Sequence, residues 1–173
     1  EIRRLLAAPD PAPAVAAMRA TGVLAHVLPG ADDRALAPLV HLEENLAPDP
    51  IRRLAALGGD DPAGRLKLSR AEARRLEVLR DAVGSAAGLG ELAYRHHADL
   101  AQDVALLRAA LAGLPLPGDW AEQVATGARA RFPVRAADLM PAYQGAALGE
   151  KLKEIEARWI ASGFALSREQ LLA

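Results

Sequence analysis

Apolar residues recur along this chain at intervals of three and four, the spacing of one face of an α-helix, and nowhere alternate with period two over the length of a strand. The clearest stretch follows Ser69-Arg70-Ala71-Glu72, which has the Ser-x-x-Glu form of a capping box, with Ala73, Leu76, Leu79 and Val83 on the buried face. Leu100, Val104, Leu107 and Leu111 mark the same pattern over residues 100–112. Leu148, Leu152, Ile155 and Trp159 repeat it along a long final helix that Gly163 ends. Upstream, Asp49 and Pro50 supply an N-cap and a first helical residue for a helix that buries Ile51, Leu54 and Leu57 and stops at Gly58-Gly59.

Shorter elements fill the intervals. Residues 1–6 read as the end of a helix halted by Pro9-Asp10-Pro11-Ala12-Pro13, with Asp10 or Ala12 capping the next one over 14–20 and Gly22 as its left-handed terminus. Residues 23–30 form one or two buried helical turns, 32–45 a further helix, 61–66 a turn, 92–97 a short helix after three glycines, and 120–131 a helix. Phe132-Pro133-Val134 is extended, and Asp138 caps a short turn holding Leu139 and Met140. Two prolines and two glycines between Gly113 and Gly118 cannot continue a helix, so the domain boundary is placed there. The expected fold is all-α, an irregular multi-helix array of two small helical subdomains.

Composition narrows this picture. Apolar residues make up 51% of the 173 and aromatics only 3%, so the interior must be built from Leu, Ala and Val, which favours helices. With 21 basic against 22 acidic side chains, the net charge is -1 and any nucleic-acid contact must come from a local patch. The absence of cysteine excludes disulfides, thiolate metal sites and a Cys nucleophile, and fits a reducing compartment, the cytoplasm. No apolar run approaches the ~20 residues of a membrane helix, so a soluble chain without a membrane partner is expected. The chain begins without Met in what reads as mid-helix, so a larger protein trimmed to this piece is also expected.

The order of landmarks now becomes informative. Ile2-Arg3-Arg4-Leu5-Leu6, a Pro-containing break, and Ala17-Met18-Arg19-Ala20-Thr21-Gly22-Val23-Leu24-Ala25-His26-Val27-Leu28-Pro29 resemble the neck-to-body passage of bacterial tRNA nucleotidyltransferases, the CCA-adding enzymes, and related poly(A) polymerases. Leu66-Lys67-Leu68-Ser69-Arg70-Ala71-Glu72 is similar to the loop before a body helix of that family. Phe132 through Met140, then Gly145-Ala146-Ala147-Leu148-Gly149, resembles its tail entry, with Ala136 where the family has Gly. The closing Trp159 to Glu169 is similar to the end of its alphaproteobacterial-type members. The resemblance implies a neck remnant and start of body over 1–47, a helical body over 48–113 and a helical tail over 114–173. It also implies a tRNA or other RNA 3′-end partner, and a separate N-terminal catalytic domain of the same polypeptide that uses Mg²⁺ with ATP or CTP.

No catalytic residue is carried over, and the chain alone is expected to be inactive and without a cofactor or metal of its own. Phosphoryl transfer needs carboxylates converging on Mg²⁺ and a Gly-Ser element near the triphosphate. Here Gly84-Ser85 lacks the following Arg and Asp, Asp60-Asp61 precedes Pro62, and no Glu-Asp-x-x-Arg occurs.

The candidate RNA site is the opening of the last helix. Gly145 and Gly149 leave backbone N–H groups free near a helix N-terminus, Lys151 and Arg158 are seven apart on one flank, and Arg129, Arg131 and Arg135 precede them. The rival reading makes these ordinary solvated charges, with the glycines allowing close helix packing, in a protein-interaction or dimerisation module with no RNA role. A second basic region, Arg52, Arg53, Arg65, Lys67 and Arg70, extended by Arg74, Arg75 and Arg80, reads as a solvated cationic face. His96-His97 reads as structural rather than metal-binding, and Trp120 and Trp159 as core rather than base-stacking.

Overall fold

The computed structural model describes residues 1–44 and 46–173. Among them stand thirteen helices and no strand beyond a single bridge between Ala31 and Gly58, so the fold is an all-α, irregular helical array. The chain divides into two compact units, one of residues 1–87 with 102–120 and one of 88–101 with 121–173. The Gly113–Gly118 run lies inside the first division, while residues 88–101 are grouped with 121–173.

The first unit is assembled around α5 (Pro50–Leu57), which contacts α1 (Ile2–Leu6), α4 (Leu36–Leu42) and α7 (Arg70–Gly84). Its start is local chemistry. Asp49 Oδ1 accepts from the N–H groups of Ile51 (2.8 Å) and Arg52 (3.1 Å), and Pro50 occupies the first turn, where no N–H is missed. Ile51, Leu54 and Leu57 are buried as their spacing requires. α7 opens on the capping box, Ser69 Oγ accepting from Glu72 N–H and Glu72 accepting from Ser69 N–H at 2.8 Å. It buries Leu76 and Leu79, while Ala73 and Val83 stay half-buried.

α2 (Ala12–Ala20) ends through Gly22 at φ +78°, and α3 (Val23–Val27) follows at once. The helix expected over 32–45 is shorter, only α4. Asp32 accepts from Arg34 N–H in a tight turn, and Asp32 N–H donates 2.8 Å to Leu57 O, which ties the strand-like approach to the end of α5 instead. The end of that expectation, Asn45, lies outside the described residues. α6 (Pro62–Arg65) is a single turn capped by Asp61.

α9 (Ala98–Ala112) contributes Val104 and Leu107 to this unit at 0% exposure, but Leu111 is 50% exposed, against the stripe read from the sequence. The reason is that α9 buries Ala101, Ala105, Leu106, Ala109 and Ala110 too. A helix enclosed nearly all round carries no single stripe, and its last turn, before Gly113 at φ +64°, runs out into solvent.

The second unit holds α8 (Leu89–Arg95), the opening of α9, all but the first residue of α10 (Trp120–Arg129), α11 (Ala136–Leu139), α12 (Gly145–Ala161) and α13 (Arg168–Leu172). Val134, Leu139, Ile155, Trp159 and Leu171 form its core. Four of the chain's six aromatic rings gather there. Trp159 packs edge-on against Tyr94 (5.5 Å between centroids) and Phe164 (5.0 Å), and tilted against Phe132 (5.5 Å). Gly127 of α10 lies directly on the Gly90 backbone of α8, where a Cβ would stand 1.9 Å from Gly90 O. The sequence reading had no α13. Its Ser167-x-x-Gln170 box is formed, Ser167 N–H donating 2.8 Å to Gln170 Oε1.

Candidate nucleic-acid interface

The seven residues singled out in the tail differ in what they do. Gly145 is the first residue of α12 at φ +56°, no side chain caps that helix, and Gly149 sits one turn on. A Cβ at either would meet nothing within 4 Å, so these glycines do not serve close helix packing. The end of α12 therefore leaves backbone donors open, with the positive end of the helix dipole behind them.

The five cations divide. Arg129, in the last turn of α10, is exposed, and its side chain makes no hydrogen bond or ion pair among the described residues. Arg135 is likewise exposed and uses only its backbone, donating 2.8 Å to Asp138 Oδ2. Arg131 instead folds back on the end of α10, donating to Ala130 O (2.8 Å) and Ala128 O (3.4 Å). Lys151 pairs with Glu154 at 2.9 Å, three residues on, with its Nζ 6.0 Å from the Tyr143 ring centre. Arg158 donates to Gln170 O (3.1 Å) and Leu171 O (3.5 Å), answering unpaired carbonyls at the end of α13. Lys151 and Arg158 share a flank of α12, as their spacing requires, but Arg158 holds α13 in place.

Around this surface two polar links fix the unit. Asp138 takes an ion pair from Arg168 at 2.7 Å, and that guanidinium, with the Arg135 N–H, draws its carboxyl down to about 2. Tyr94 donates 2.7 Å to Glu156, and burial first, then that carboxylate, push its phenol up to about 12.

The second basic region is corrected outright. Arg52 is 4% and Arg53 1% exposed, so neither belongs to a solvated face. Arg52 donates to Glu43 (2.7 Å), Asp103 (2.8 Å) and Ala47 O (3.1 Å). Arg53 donates to the other oxygen of Glu43 (2.8 Å) and to Leu6 O (2.7 Å), Ala8 O and Pro9 O (3.1 Å), closing the end of α1. Arg75 bridges Asp49 and Asp103 from the rim. Three arginines thus face three carboxylates, and the two buried ones, Arg52 and Arg53, fill the rest of their guanidinium forks with backbone carbonyls, as buried pairing demands.

Arg108 answers four carbonyls in the last turn of α7 and just after it, among them Ser85 O (2.7 Å) and Ala82 O (2.8 Å), and Arg80 donates to Gly59 O at 3.2 Å. What remains of the basic region on the surface is Arg65, Lys67, Arg70 and Arg74, all exposed. His97 is structural, its Nδ1 accepting Leu100 N–H at 3.2 Å at the start of α9. Trp159 is core at 3% exposure, and Trp120 is half-buried. Among the described residues no three His, Asp or Glu side chains gather as a metal site, and no helix is long and apolar enough to cross a membrane.

What sequence reasoning missed is that arginines within each unit answer carbonyls at distant helix ends. Local signals existed for the ends of the helices, but Arg158 and Arg53 reach carbonyls 12 and 47 residues away along the chain. No protein-family model matches the chain, and neither does any curated protein or solved structure.

Proposed function

We propose that this chain is the RNA-holding helical region of a tRNA nucleotidyltransferase or poly(A) polymerase, whose chemistry is performed by a catalytic domain elsewhere in the same polypeptide. The observation that carries the reading is the uncapped, unobstructed end of α12, with Arg129 and Arg135 exposed in the same unit and their side chains in no hydrogen bond or ion pair among the described residues. Val134, next to Arg135, packs in one cluster with Ile155 of α12, which ties that cation's backbone to the helix. Open N–H groups and free guanidinium groups together suit the phosphates of an RNA held by shape rather than sequence. The landmarks shared with the family, from Ile2-Arg3-Arg4 to the closing Trp159 segment, support the choice of RNA. Mg²⁺ and ATP or CTP belong, on this reading, to the catalytic domain, and the cytoplasm is where the reaction takes place.

The test is binding of a labelled tRNA lacking its 3′ CCA to the chain, wild type against Arg129→Ala/Arg135→Ala. Weakening of about tenfold or more is expected, since two charge-assisted phosphate contacts are lost. Equal affinity of the two proteins would dispose of the reading. A protein-interaction module is the second reading, and one observation favours it: Arg131, Lys151 and Arg158 are held by partners within the chain.

A further inference from the structure

A groove of about 890 Å³ opens in the first unit between α1, the α2–α3 corner and the loop after α6. Ile2, Leu5, Met18, Val27 and Leu66 line it half-buried, and Val23 adds a side chain 45% exposed. Its charged lining is one-sided. Arg3, Arg4, Arg65 and Lys67 are all exposed, and Glu1 is the one acid among the lining residues.

These cations are unevenly committed. Arg3 is bonded to Glu72, and Arg4 reaches only Glu1, at 3.7 Å with both side chains in solvent. Arg65 and Lys67 make no side-chain hydrogen bond or ion pair among the described residues. Their backbone is nonetheless fixed, because Lys67 N–H donates to Gly64 O and Leu68 N–H to Ala63 O after α6, with Lys67 at φ +50°. The rim charges are therefore pre-positioned on an ordered turn, over a concave apolar floor.

We propose that this groove docks an acidic amphipathic segment of another protein, its apolar face on the floor and its carboxylates meeting Arg65 and Lys67. Charge complementarity selects the partner, because the rim offers free cations and the apolar lining needs a covering that carries its own apolar side chains. RNA fits less well. No aromatic ring lines the groove to stack a base, and phosphates would leave six apolar side chains against water. A bilayer fits less well again, being flat against a concavity. This assignment draws on residues of the first unit, whereas the RNA reading draws on Arg129 and Arg135 of the second, so the two are tested by different variants.

The test is selection of a displayed library of 12-residue peptides on the chain, followed by affinity measurement of a synthesised winner. Enriched sequences are expected to combine Asp or Glu with Leu, Ile or Phe at three- and four-residue spacing. Their binding should weaken about tenfold in Arg65→Glu/Lys67→Glu, and should also fall with added salt. Both substituted residues are exposed, and circular dichroism of the variant checks that it folds. Val23→Asp, at an exposed apolar wall, should weaken the same peptides without touching the rim. Enrichment of basic sequences, absence of enrichment, equal binding by both variants, or displacement of the peptide by a single-stranded RNA that binds the groove more tightly would each overturn the proposal.

Discussion

Arg53 donates to Glu43 and to three carbonyls at and just past the end of α1 while 1% exposed, so the group opposite it cannot be removed without stranding a buried guanidinium. Glu43→Gln is expected to lower the unfolding free energy by about 3 kcal/mol or more, because both Arg52 and Arg53 lose their shared carboxylate inside the first unit. Urea denaturation checks this, and a midpoint within error of wild type would refute it. Carboxylates in these links also set an acid limit. Burial opposes ionisation of Asp49, but Arg75 and the N–H groups of Ile51 and Arg52 outweigh it and hold the carboxyl below its ordinary 3.8; Asp138 is drawn to about 2. Folded values below unfolded ones mean that this stabilisation is complete above about pH 4 and is lost as pH falls toward 2. A carboxyl NMR titration of Asp138 should therefore show a midpoint near 2, and Asp138→Asn should make unfolding less sensitive to acid across that window. A midpoint near 4 would mean that the Arg168 pair is absent in solution.

Among the elements, the crossing of α8 and α10 is the least tolerant, since a methyl at Gly127 would overlap Gly90 O. Gly127→Ala is expected to cost about 3 kcal/mol, an overpacking that backbone cannot relieve as a side chain would. Gly149→Ala is the opposite case. It is exposed, helical and unobstructed, so it should stabilise by about 0.5 to 1 kcal/mol in thermal unfolding. Element by element, the legible signals were local ones: Asp49-Pro50, Ser69 with Glu72, Gly22 and Gly163 each declare a helix end within four residues. Ser167 with Gln170 offered the same signal for α13. Arg52 and Arg53 could not be read, because two adjacent arginines look alike whether they face water or Glu43 and Asp103. Leu111 failed for a related reason, a four-residue step being informative only on a helix that has one buried face.

At the scale of the whole molecule, the near-zero net charge conceals a division of tasks: Arg52 and Arg53 answer carbonyls and carboxylates in the interior, Arg80, Arg108 and Arg158 answer carbonyls nearer the surface, and most of the other arginines are exposed. The all-α class was legible throughout, since no stretch alternates with period two. The candidate site was legible as positions but not as roles, because the carbonyls that take up Arg158 lie on α13, twelve and thirteen residues further on. Its remaining free cations, Arg129 and Arg135, are what the RNA reading depends on. The most direct measurement is the slope of log affinity against log salt for tRNA lacking CCA, on wild type and on Arg129→Ala/Arg135→Ala. Release of counterions from two phosphates predicts a slope shallower by about 1.5 to 2 in the variant; parallel lines, or no measurable tRNA binding by the wild-type chain at low salt, would contradict the account.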